Sequence, residues 1–415
     1  MAHGTRNRLI IYAATFVRSV ATALIGVLVG IYLARLDLSK TAIGIIITAG
    51  LAGGAGAALL ATIAADGFGR RRFLVLLTLL GAAGGFAVAF ISNEALLAAA
   101  AFLGMVNGMG RDRGAALAVE QAILPSTAPD ERRTSIFAFY SVLQSVGAAL
   151  GALAAGMPNL ISRVGGVSET PAMRIAIIVY AILMAATAFA YLGLTEEVEV
   201  YAASPGFRVS RETRDVLIKL SALFSLDSLG GGFLTQALIS LFFVERFAVS
   251  AATVGLLYFG ASIANAVSQL IAPTLARRIG LINTMVFTHL PSSFLLMLVA
   301  IAPNFSIAAA LFLAREALVQ MDVPARNSYV MAVVRPEERT FASGVTGLVR
   351  LAGWAVAPGF AGLFMQGVSI ETPLFIGPGM KIIYDLMLYR SFRHLKAPEE
   401  RAREDAAASS QRKAQ

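Results

Sequence analysis

Long apolar runs separated by short charged turns dominate this chain. Twelve such runs fall at about 9–33, 41–65, 73–91, 95–124, 134–157, 171–194, 216–244, 251–276, 281–302, 305–334, 341–364 and 372–395. A helix of about 20 residues crosses roughly 30 Å of hydrocarbon, so each run is long enough to span a bilayer. The pattern predicts an all-α polytopic membrane protein with twelve transmembrane helices. Small residues recur at helical spacing inside the runs, with Gly50 and Gly54 in the second and Gly147, Gly151 and Gly156 in the fifth. Such positions let neighbouring backbones approach closely in lipid. The one long polar connector, 195–215, starts acidic (Glu196, Glu197, Glu199) and ends basic (Arg208, Arg211, Arg214). It divides the chain into an N-terminal six-helix bundle at 1–194 and a C-terminal six-helix bundle at 216–395, with a disordered polar tail expected at 396–415.

Composition supports this reading. Hydrophobic residues make up 57% of the chain and charged residues only 14%, against about 25% charged in a soluble domain. The net charge of +9 sits in short turns and tails and marks topology rather than a nucleic-acid surface. Lys and Arg collect in cytoplasmic loops. With Arg70, Arg71, Arg72, Arg132, Arg133, Arg208, Arg211, Arg214, Arg277, Arg278, Arg335 and Arg339 inside, both termini are cytoplasmic. The first run is too long and too strongly flanked for a cleaved signal, so it is expected to remain as the first helix. The chain has no cysteine and only three scattered histidines, His3, His289 and His394, which gives no metal cluster. With no phosphate loop or nucleophile–base pair either, neither a cofactor nor an enzymatic activity is expected.

The halves echo each other. At a shift of 211 residues, Ser39, Gly44 and Gly69 fall on Ser250, Gly255 and Gly280, and the basic turn Asp66-Gly67-Phe68-Gly69-Arg70-Arg71-Arg72 falls on a weaker copy ending Arg277-Arg278-Ile279-Gly280. Pro129-Asp130-Glu131-Arg132 is matched by Pro336-Glu337-Glu338-Arg339, and at a shift of 210 Asp112 meets Asp322. Two parallel repeats related by an axis along the membrane normal are a transporter architecture.

With these features the chain resembles the major facilitator superfamily over about residues 8–395. Asp66, Gly69, Arg70 and Arg71 match the family's turn between helices 2 and 3, while Thr62 stands where the family has Gly and Gly67 where it has a base. The resemblance implies the superfamily's two-bundle fold. It also implies a gating role for Asp66, Gly69, Arg70 and Arg71, with Asp66 and Arg70 latching to the other half in the outward-open state. The copy at Arg277 lacks the acid. Bottom-up, Gly69 permits the tight turn, and the arginines also serve as topology markers. Two further patterns depart from the family: Arg111 and Gly114 are one residue short of a proton-coupling motif, and helix 5 has glycines but no proline where antiporters carry Gly-Pro.

Charges inside the runs mark the candidate site, because ionisable groups at bilayer depth are costly and line cavities. They are Arg18 on helix 1, Arg111, Asp112 and Arg113 on helix 4, Asp227 on helix 7, and Arg315, Glu316, Asp322 and Arg326 on helix 10. Helices 1, 4, 7 and 10 line the cavity in the resembled family. Arg18 and Asp227 are candidate partners across it. Arg315, Val319, Asp322 and Arg326 follow one helical face. Arginines suit carboxylate or phosphate groups, and a carboxylate in low dielectric can hold a proton. Arg350 stands apart. Lys381 and Asp385 are expected to pair along helix 12, and His289 to be a packed or interfacial residue.

The reading is a secondary active transporter, working by alternating access on a small anionic or zwitterionic organic solute and driven by protons. Its partners are the solute, protons and the lipid bilayer. A monomer in the cell (inner or plasma) membrane is expected. Two alternatives stand beside it: an efflux permease for drugs or metabolites whose cavity charges are structural, and a non-transporting sensor or scaffold, whose expected sign would be an appended folded domain.

Overall fold

The computed structural model describes residues 2–112, 114–127, 132–199, 210–334 and 338–392. Arg113, the acidic loop residues Asp130, Glu131 and Glu337, the linker at 200–209 and the expected disordered tail lie outside them.

Among the described residues there are sixteen α-helices. The first half comprises α1 (Ala2–Arg35), α2 (Lys40–Phe68), α3 (Arg70–Phe90), α4 (Glu94–Gly104), α5 (Ala115–Ile123), α6 (Arg133–Ala154), α7 (Met157–Gly165) and α8 (Glu169–Leu192). The second comprises α9 (Arg211–Gly232), α10 (Gln236–Phe247), α11 (Ala251–Ile279), α12 (Leu281–Ala300), α13 (Phe305–Val319), α14 (Asp322–Val333), α15 (Arg339–Gly367) and α16 (Pro373–Phe392). Nine helical stretches are long and apolar enough to cross a membrane, with α6–α7 and α9–α10 each counted as one. Three expected spans fall short of that measure: the fourth and tenth because each is broken in two, and the twelfth, α16, because it carries Lys381, Asp385 and Arg390.

The 211-residue echo is structural. Helices α2 and α11 share a length of 29 residues at that offset. Ser39 and Ser250 cap them identically, each hydroxyl accepting from the backbone N–H three residues on, at 3.1 and 3.2 Å. Such a cap satisfies one of the donors a helix start leaves free. Gly69 and Gly280 follow these helices with φ of 101° and 89°, a region glycine enters without a Cβ penalty. Each turn therefore reverses the chain within one residue.

The surface pattern identifies the solvent. From Gly50 onward the buried positions of α2 are small (Gly50, Gly53, Ala57, Ala58, Ala61, Ala65), and Leu59, Leu60 and Ile63 point outward. Leu270 and Phe189 are also exposed, at 80% and 78%. Large apolar residues outside and small ones inside are what helix packing in lipid requires. A Cβ on Gly53 would lie 1.9 Å from the Phe102 carbonyl oxygen, so glycine alone allows α2 and α4 to touch.

Packing differs between the two ends of the molecule. At the end distal to the termini, one apolar core joins both halves: Leu28, Ile43, Leu238, Phe242 and Ala361 belong to it. At the terminal end there are two cores. One contains Ile11, Leu74, Ile123 and Tyr191 from the first half; the other contains Leu220, Met285, Tyr329 and Phe392 from the second.

Three helices expected to be continuous are interrupted, each for a local reason. Helix 4 stops at Met105, which is left-handed with φ 50°. The Asn107 side chain then organises the gap, donating to the Arg111 carbonyl and accepting from Met109 N–H, both at 2.8 Å. Helix 7 breaks after Gly230-Gly231-Gly232, and Thr235 caps its second part, accepting from Leu238 N–H at 3.3 Å. Helix 10 breaks at Gln320–Met321, four residues before Pro324. A proline ring collides with the carbonyl four residues earlier, and proline is tolerated in a first turn, where its missing N–H is not needed.

Candidate functional site

A cavity of about 360 Å³ lies between the halves where the shared core ends. The interruptions place its charges: Arg111 and Asp112 sit in the irregular gap of helix 4, Asp227 just before the glycine triplet, and Arg315, Glu316, Asp322 and Arg326 on either side of the break in helix 10. All seven line the cavity. Arg113 lies outside the described residues. Arg18 is not part of the wall. It is buried behind Asp112 and faces a smaller cavity of about 100 Å³.

Three ionic clusters result. In the first half, Arg18 Nε donates to Asp112 Oδ2 at 2.7 Å, while its two terminal nitrogens reach Glu120 at 3.1 and 2.5 Å. Glu120 also accepts from the hydroxyls of Tyr140 and Tyr191, each at 2.6 Å. In the second half, Asp227 accepts from Lys381 Nζ at 2.7 Å, with Arg350 at 3.6 Å and Arg326 and His289 at 3.9 Å. Arg326 pairs with Asp322, and His289 Nδ1 lies 3.0 Å from both oxygens of Asp385. Between the halves, Glu316 takes Arg315 from its own helix, Asn265 at 2.7 Å, and Arg111 from the opposite half at 3.6 Å.

These contacts revise two expected pairings. Arg18 and Asp227 are not partners, because each finds its counter-charge within its own half. Lys381 and Asp385 do not bond along their helix. Lys381 turns to Asp227 and Asp385 to His289, which is buried at 2% exposure and borders the cavity.

The basic turn lies away from the cavity. Arg70 Nε contacts Asp66 at 2.7 Å, and Glu199 accepts from the backbone N–H groups of Arg70 and Arg71 at 2.6 and 3.2 Å. A carboxylate at a helix N-terminus satisfies its free donors and its dipole. Arg71 reaches the Leu194 carbonyl at 3.1 Å. Among the described residues these contacts stay within the first half and the start of the connector, so the turn forms no latch to the second half in this conformation.

The family profile described as Major Facilitator Superfamily matches residues 11–243 and 220–414. The chain belongs to the major facilitator superfamily. An uncharacterized membrane protein of Saccharomyces cerevisiae is 24% identical over 418 residues, covering 92% of this chain and 93% of its own. The structure of a bacterial homologue of the human lysosomal transporter Spinster, inward-facing and occupied, superposes with a TM-score of 0.72 at 15% identity, covering 96% of this chain and 99% of that one. The nucleoside transporter NupG gives 0.70 at 15% identity, covering 93% and 98%. As a member of this superfamily the chain is an integral membrane transporter and not an enzyme.

Arg350, Trp354, Lys381 and His289 also border the cavity but were not singled out as its residues from sequence. Glu120, Tyr140 and Tyr191 form the buried network behind the wall. The legible signal for Lys381 and His289 was a charge count: Asp227 is the only acid within its run and needs a cation from another helix.

Proposed function

We propose that the chain carries a small organic anion or zwitterion across the membrane by alternating access, coupled to protons, as two bundles rocking about the central cavity. The observation that carries this reading is the cavity wall. At the boundary between the halves, cations crowd single carboxylates, Arg111 and Arg315 on Glu316 and Lys381 and Arg350 on Asp227. A solute carboxylate relieves that crowding through hydrogen bonds to ionised donors.

The unequal packing of the two ends supports the rocking motion. With the termini cytoplasmic, the joined end faces outward and the separated cores face the cytoplasm, an inward-open state. The turn at Asp66, Gly69, Arg70 and Arg71 then acts as a gate that reaches the second half only in the opposite state. For coupling, the buried His289–Asp385 pair beside Asp227 and Lys381 offers a proton site within one side chain of the cavity. One observation favours the efflux reading in part: the Arg18 network is fully paired and lies behind the wall, as structural charges do.

The test is uptake into proteoliposomes. An imposed pH gradient is expected to drive accumulation of labelled small carboxylates or zwitterions, and a protonophore to abolish it. Absence of flux under gradients of either sign overturns the proposal.

A further inference from the structure

We propose that Gly231, Trp354, Lys381 and Arg350 form a subsite for the carboxylate of an organic monoanion in the second half of the chain. The proposal rests on reading the cavity as a solute site and names which wall takes the charge.

The four residues come from three helices, α9, α15 and α16, and all border the cavity. Gly231 is where Trp354 meets the backbone of α9. A β-carbon there would lie 2.9 Å from the indole Nε1 of Trp354 and 3.8 Å from Lys381 Nζ. The missing side chain therefore lets the indole pack directly on the α9 backbone, which gathers an indole nitrogen and an ammonium at one point of the cavity wall.

Arg350 supplies the donor that its shared acid leaves incompletely bonded. Its guanidinium lies 4.9 Å from the Trp354 ring centre and 5.9 Å from that of Phe224, so two aromatic rings hold it in place. Asp227 is 3.6 Å from Nη2, outside hydrogen-bond range, because Lys381 already holds that carboxylate at 2.7 Å. Arg326 is taken by Asp322. Arg350 Nη1 is buried and has no hydrogen-bond partner among the described residues. A buried donor left without a partner costs about 1–3 kcal/mol, so such a group in a native cavity wall calls for an explanation. Lys381 and Arg350 share one carboxylate, Asp227, and the donors of Arg350 form a planar fork, so a single further carboxylate is the matching partner in shape. A phosphate dianion would need a further cation at the same wall.

The reporter is built in. Trp354 is the chain's single tryptophan, so intrinsic emission reads this subsite alone. Purified full-length protein in detergent is titrated at constant ionic strength with acetate and benzoate, with inorganic phosphate and choline as comparison probes, following both tryptophan emission and melting temperature. A saturable emission change with a carboxylate is expected, with little or none from phosphate or choline. Gly231→Ala would bring a methyl group 2.9 Å from the indole Nε1 and so displace Trp354 from the subsite without altering charge, and is expected to weaken that affinity at least tenfold. Gly367→Ala, with open space around it, should leave it unchanged. Arg350→Lys keeps the charge but removes the fork, and provides a second test with the same expected loss should Gly231→Ala misfold. If carboxylates raise the melting temperature equally in wild type and Gly231→Ala without changing emission, the subsite is wrong while the transport reading stands. Equal responses to phosphate or choline overturn the ligand class, and no saturable response by either readout overturns both proposals.

Discussion

Replacing Glu120 with glutamine should cost the fold far more than its single-atom change implies. Glu120 is fully buried and takes four hydrogen bonds, two from Arg18 at 3.1 and 2.5 Å and one each from Tyr140 and Tyr191 at 2.6 Å. Glutamine keeps the volume but turns one acceptor into a donor facing other donors, and removes the charge that balances Arg18. Removing one partner of a buried ion pair costs about 3–5 kcal/mol. Asp112 still holds Arg18 Nε at 2.7 Å, so the lower end applies, about 3 kcal/mol. That is a large part of the roughly 5–15 kcal/mol that stabilises a typical native fold. The assay is equilibrium unfolding in mixed micelles, with a double-mutant cycle against Tyr191→Phe to isolate the coupling. Glu120 does not border the main cavity, so carboxylate affinity read at Trp354 should hold in the folded fraction. A loss under 1 kcal/mol, or a loss of ligand affinity at unchanged stability, would refute a structural role for this network.

Further outcomes follow from the same geometry. Lys381→Met frees Asp227 to capture Arg350, now 3.6 Å away, and should lower carboxylate affinity at least tenfold by tryptophan titration. Gly44→Leu drives a side chain toward the Pro358 carbonyl oxygen, 2.4 Å from the position of a β-carbon. It should pry the distal interface open and reduce disulfide formation between Thr41→Cys and Gln366→Cys, a pair that reads cleanly because the chain has no cysteine. Asp66→Asn should leave carboxylate binding and stability within about 1 kcal/mol of wild type, as expected of an exposed pair, yet slow proteoliposome flux through loss of the gate.

The fold was largely legible because lipid imposes it. Runs of apolar residues, Ser39 and Ser250 as caps, and Gly69 and Gly280 as turns are local signals, and each recurs 211 residues on. The breaks in helices 4, 7 and 10 were less legible. Asn107 organises its gap through bonds to Met109 and Arg111, a choice that helical periodicity cannot display. The glycine triplet and Pro324 were visible, but neither ends a helix without its tertiary setting. For the site, the residue types and the helices carrying them could be read, since a charge in an apolar run stands out. Partner choice could not. The spacing of Lys381 and Asp385 favours a bond along one helix, but Asp227 and His289 on other helices lie closer to their charged ends.

The ion pairs around the cavity differ with where they sit relative to the boundary between the halves. Beside the cavity, each half holds a short, buried pair: Arg18 with Glu120 at 2.5 Å, and Lys381 with Asp227 at 2.7 Å; pairs at the ends of the halves, such as Arg35 with Glu169, are exposed. Among the described residues, two charge pairs cross between halves. Lys40 and Glu245 at the distal end are 2.8 Å apart but about one-third exposed, and Arg111 and Glu316 at the cavity are 3.6 Å apart with Arg111 35% exposed. Exposed pairs contribute about 0–1 kcal/mol, whereas breaking a buried pair costs several. Among the described residues, the other polar links across the joined end are neutral hydrogen bonds, from Thr41 N–H to Gln366, Ala252 N–H to Asn159, Gly359 N–H to Thr48 and Ala237 N–H to the Gly108 carbonyl, at 2.9–3.1 Å. A net contribution near 1 kcal/mol each is typical of such bonds. The bonds that must break if the halves separate at the distal end are thus the inexpensive ones, and those that would deform a half are the costly ones. Two stiff halves joined by weak contacts can exchange which end is closed without either half unfolding, and a carboxylate that pairs with Arg350 and draws on Arg111 at the same time would bias that exchange by replacing the crossing pair at Glu316.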